Sequence, residues 1–132
     1  MDSSSIELPG STIQAVEVEG ETVRIRFEPA YIIKTMTGSA ERTKWRQVGE
    51  LVFDGAELQA DPPPLPAVCA GGDVGENIYT YRDMVPVPLE SRGRAHCDLA
   101  VEGTDLRIRV DGEGVRLVME EVPKYVEHIR PE

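Results

Sequence analysis

The sequence predicts an all-β protein, an antiparallel barrel or sandwich of about eight or nine short strands in two similar halves, with room for a short C-terminal helix. Three observations carry that expectation. A twelve-residue segment, Val16–Phe27 (VEVEGETVRIRF), returns 83 positions later as Leu99–Val110 (LAVEGTDLRIRV), identical at six positions. Apolar and polar residues alternate on both sides of the shared glycine, the period-two signature of strands that bury one face. Elsewhere no window of about 11 to 18 residues shows convincing helical periodicity.

Residues 1 to 10 read as a polar lead-in anchored only by Ile6 and Leu8. A strand then runs from near Ser11 to Glu19, and its return covers Thr22 to Glu28. A loop at Gly20-Glu21 pairs Val18 with Val23 and Val16 with Ile25 on the buried face, and Glu17 with Arg24 outside. A slip of one residue would turn every side chain to the wrong face. Gly20 suits the leading position of a type II′ turn, where φ is positive. Pro29 has no N–H to donate and breaks the ladder. Tyr31-Ile32-Ile33 opens a third strand reaching to about Met36, followed by a turn over residues 37–40. Lys44 to Val48 recovers a strand pattern. Leu51 to Leu58 reads as a hairpin with a type I′ turn at Asp54-Gly55, setting Phe53 against Ala56 and Leu51 against Leu58.

Residues 61–75 carry four prolines and three glycines. They read as an irregular, solvated loop joining halves at 11–60 and 76–120 within one domain, 1–132. Asn77 to Leu89 alternates Tyr79, Tyr81, Val85, Val87 and Leu89, with Asp83 interrupting, and Pro86 and Pro88 confine its end to a sheet edge. In the second copy of the repeat a loop at Gly103-Thr104 sets Val101 against Leu106, Leu99 against Ile108 and Cys97 against Val110, with Asp98 beside Arg109. Residues 111–114 (DGEG) turn the chain again, so that Val115, Leu117 and Met119 complete a three-stranded meander. Val122, Val126 and Ile129, spaced by four and three with Pro123 at a first helical position, give the C-terminal helix.

The net charge is −10, and it is spread evenly: residues 1–66 hold 11 acids and 6 bases, residues 67–132 hold 13 and 8. That balance repels phosphate backbones and disfavours nucleic acid as a partner, while a basic protein fits it. No apolar run approaches the roughly 20 residues that span a bilayer. The start, MDSSS, lacks the basic and apolar regions of a secretory signal, and two cysteines make no disulfide framework. The expected location is cytoplasmic.

The chemistry-bearing residues are sparse. Cys69, His96, Cys97 and His128 supply the types a zinc site uses, but His96 and Cys97 are adjacent in a strand and point to opposite faces. No metal and no cofactor is expected. Cys97 falls on the apolar face as a small core residue, and Cys69, in the loop, is the better candidate for a reactive thiol. Phosphate-binding, nucleophile-elbow and dinucleotide motifs are absent. The sole tryptophan, in ERTKWR at residues 41–46, is the first choice for a binding hot spot. The sequence therefore points away from an enzyme and toward an acidic β-domain for protein interaction or self-assembly. The alternative is a small-ligand barrel, with or without catalysis, whose pocket gathers Trp45, Arg46, Tyr79, Tyr81 and the 61–75 loop.

Overall fold

A computed structural model describes residues 3–130. Its ten strands are β1 (Ser3–Glu7), β2 (Thr12–Glu19), β3 (Thr22–Thr35), β4 (Arg42–Asp54), β5 (Glu57–Leu58), β6 (Ala67–Glu76), β7 (Tyr79–Arg82), β8 (Met84–Val87), β9 (Glu90–Val101) and β10 (Arg107–Ile129). All pairings are antiparallel. Six strands close an irregular ring in the order β2-β6-β9-β10-β4-β3, with β3 returning to β2. The long strands β3, β4 and β10 continue past this ring. There β1 adds to β3 and β8 adds to β1, giving a second region ordered β8-β1-β3-β4-β10.

The first hairpin has the register that its polarity dictates, Val18 with Val23, Glu17 with Arg24 and Val16 with Ile25. The second pairs Leu99 with Ile108, Cys97 with Val110 and Asp98 with Arg109. Ile25 and Ile108 are both buried, among Phe27, Leu51, Phe53 and Leu99. Pairing fixes the hairpins locally, but closure treats them differently. β2 and β9 run in the same direction, yet their hairpin partners lie on opposite sides of them around the ring. Only a reflection would relate the two copies, and L-residues do not permit one. The likeness of the two segments is one of pattern, not of a rotation axis. Accordingly Val18 is 55 % exposed and its counterpart Val101 only 3 %. Among the described residues β6 meets β2 only at Thr12 and Ile13, and the outer end of β2 pairs with β3 alone.

Several sequence expectations give way where distant strands meet. Residues 67–75 of the expected loop belong to β6, which is paired with β2, β7 and β9. Its glycines mark close backbone approach rather than a turn: a Cβ on Gly72 would lie 2.8 Å from the Leu99 Cα. Cys69 is buried there, not in a loop. The expected C-terminal helix is strand, because β4 supplies a ladder from Asp54 to Arg42 for β10 to follow. Residues 111–114 do not reverse the chain. β10 passes through them with a bulge between Gly112 and Gly114, and Val115 pairs with Phe53 and Ser91. Gly55 does turn the chain at φ 54°, but Glu57–Leu58 pairs with β10 instead of folding back on β4.

Pro29 makes a bulge between Phe27 and Ala30, and β3 continues to Thr35. The lead-in contributes β1, with Ile6 and Leu8 buried. Ser11, a buried polar residue, ties three segments. Its hydroxyl donates to the Glu7 carbonyl at 2.6 Å and accepts from the Tyr31 N–H at 3.0 Å, while its own carbonyl accepts from the Cys69 N–H at 2.8 Å. The run from Asn77 to Leu89 divides at Asp83, whose φ is 64° and whose Oδ1 accepts from the Gly72 N–H at 2.9 Å.

Candidate functional site

β10 is paired on both edges only as far as Arg116, and Leu117 closes that stretch by donating its N–H to the Leu89 carbonyl at 2.9 Å. From Val118 to Ile129 the strand pairs with β4 alone among the described residues, so a row of backbone donors and acceptors faces outward. Exposed apolar residues lie along this free edge: Val118 (38 %), Val122 (78 %), Tyr125 (56 %) and Val126 (41 %). Sheet edges are usually blunted by charge, proline or bulges. Here Pro123 lies within one bulge, between Glu120 and Lys124, and a second falls between Tyr125 and Glu127.

Trp45 supports this edge from behind. It pairs with Tyr125 across the β4–β10 ladder, and the two rings meet edge to face with centroids 5.4 Å apart at 79°. The Lys34 ammonium sits 4.5 Å from the indole centroid, and the indole N–H donates to Thr43 Oγ1 at 2.8 Å. The ring is half-buried against the core. Lys44, next along β4, stacks its ammonium 4.5 Å from the Tyr31 ring and lies 3.4 Å from the Glu7 carboxylate.

Arg46 is adjacent to Trp45 in an extended strand and therefore faces the other way. It lines a shallow cleft of about 210 Å³. The bulges of β3 and β10 flank the cleft, contributing Glu28 and Pro29 on one side and Glu121, Val122 and Lys124 on the other. The Gln47 amide fastens the β10 bulge by donating to the Glu121 carbonyl at 2.9 Å.

Tyr79 and Tyr81 stand apart, on β7, which is hydrogen-bonded to β6. Tyr79 is exposed. Tyr81 donates its O–H to Glu76 Oε1 at 3.2 Å, and burial and then that carboxylate push its pKa up. The four ligand candidates thus occupy three places: the core side of β4, the outer cleft, and β7. Residues 67–75 of the loop that was to join them are part of the ring wall. The exposed apolar residues of the β10 edge, Val122, Tyr125 and Val126, lie in a segment where Val122, Val126 and Ile129 are spaced by four and three, a pattern that reads as helix. The β-branched valines were its one sequence signal for strand.

His96, Cys97 and Cys69 are packed against backbone or core. His96 lies over the backbone of Gly75, where any Cβ would collide with the imidazole. Cys97 faces the core, and burial drives its thiol pKa far up; burial does the same to Cys69, partly opposed by a hydrogen bond with Gly71. Such thiols are poor nucleophiles at neutral pH. Asp73 is held below the usual carboxylate range by the Arg82 guanidinium, at 2.9 Å. Among the described residues no three His, Cys, Asp or Glu side chains gather as metal ligands, and no helix is long and apolar enough to cross a membrane. No protein-family model, curated protein or solved structure matches the chain.

Proposed function

We propose that this protein is a non-catalytic interaction module that takes up an extended protein segment as an added strand along the free edge of β10, from Val118 to Ile129. The observation that carries the reading is an unpaired strand edge with its own exposed aliphatic and aromatic side chains. Strand addition draws affinity from main-chain hydrogen bonds and specificity from alternate side chains. Trp45 braces Tyr125 from the β4 side, so the edge is held in shape before a partner arrives. Preorganisation of this kind lowers the ordering cost of binding.

The test places a photo-crosslinking amino acid at Tyr125, and in a control protein at Val68 on the ring, in cells producing the protein. Protein adducts that form from position 125 and not from 68 support the reading. Equal adducts at both positions, or none at 125, refute it.

A further inference from the structure

The free edge of β10 is complementary to itself. Residues 121–130 read EVPKYVEHIR, and when a second copy runs antiparallel with its twofold axis between Tyr125 and Val126, Glu121 falls opposite Arg130, Val122 opposite Ile129, Lys124 opposite Glu127 and Tyr125 opposite Val126. Every charge meets its opposite, and each of these apolar residues meets another. Shifting the register by one residue either way loses the match, putting Lys124 opposite Val126 or opposite His128.

The fold makes this pattern usable. Lys124 pairs with Arg46 and Glu127 with Lys44, and residues 44 and 46 share a face of β4. The extra residue in the bulge at Val126 therefore brings Lys124 and Glu127 onto one face although they are three apart. None of Glu121, Lys124, Glu127 and Arg130 takes part in an ion pair within its own chain among the described residues. Each subunit carries a net charge of −10, but these four charges sum to zero. In this register residues 121–130 add no net like-charge repulsion of their own between copies, and a purely cationic partner would find Lys124 and Arg130 in its way.

From this the geometry points to a second copy of the chain as the occupant of the edge, in an isologous dimer whose sheet runs β4-β10-β10-β4 through the twofold axis. The inference rests on strand addition at β10, and it names the partner.

Charge reversal tests it on the whole protein. Sedimentation velocity between roughly 1 µM and 1 mM, where small interfaces associate, should show monomer passing to dimer. Lys124→Glu or Glu127→Lys alone turns two attractions into two repulsions and weakens the dimer roughly tenfold or more. The double variant restores it. Because the contact is reciprocal, mixing the two single variants yields a heterodimer stronger than either homodimer. Both positions are exposed, so circular dichroism should show the native fold retained. A monomer throughout the concentration range, or single variants that dimerise like the parent, overturns the inference. The crosslink at position 125 separates the two readings: adducts between copies, mapped to residues 125–127, support the dimer. Adducts to other proteins alone leave strand addition standing and remove self-pairing. No adduct removes both.

Discussion

Val18 and Val101 occupy the same slot of the repeated segment, and truncating each to alanine separates a local account of this protein from a tertiary one. By hairpin pattern alone both valines face the core and should cost the same. In the folded protein Val101 is 3 % exposed and Val18 is 55 % exposed. Removing two carbons at about 0.8 kcal/mol per buried methylene gives about 1.6 kcal/mol for Val101. The cavity left in a packed wall raises this to about 2–3 kcal/mol. Val18 loses less than half of the transfer contribution and leaves no closed cavity, so its truncation should cost below about 1 kcal/mol. In a domain of this size each kcal/mol moves Tm by roughly 3–5 °C, so Val101→Ala should lower Tm by roughly 6–15 °C and Val18→Ala by less than roughly 5 °C. Urea titration with a shared m-value, followed by far-ultraviolet circular dichroism, measures both. Equal losses, or a larger one at Val18, would show that the two hairpins are buried alike and that the ring closes differently.

Gly75→Ala forces the His96 ring off the β6 backbone and should cost about 1–3 kcal/mol; pairing it with His96→Ala should recover most of that, and strict additivity in the double-mutant cycle would deny the contact. Both thiols should resist a neutral-pH disulfide reagent in native protein and react fully in denaturant, whereas rapid native labelling would contradict their burial. The folded-state pKa of Asp73 is depressed, so its contribution is complete above the unfolded value of about 3.9 and is lost as pH falls through the folded one. Asp73→Asn should therefore flatten the decline of the urea midpoint below about pH 4, and an unchanged slope would mean that the Arg82 pairing contributes nothing.

What could be read before folding was whatever a strand and its immediate return settle between themselves. The pairings of Val16 with Ile25 and Leu99 with Ile108 follow from alternation, because a one-residue slip would bury Glu17 or Asp98. The burial of Cys97 follows from the same rule. Tertiary structure decided the rest, wherever the deciding partner lies far along the chain. Glycines at 71, 72 and 75 look like a flexible linker until Asp83, Leu99 and His96, respectively, are seen against them. The apolar residues from Val122 to Ile129 permit a helix until β4 offers a ladder to extend. The exposure of Val18 beside the burial of Val101 depends on which side of each hairpin the ring closes, a choice made by β4 and β6. Local pattern fixes the faces of a ribbon; only long-range pairing determines what each face meets.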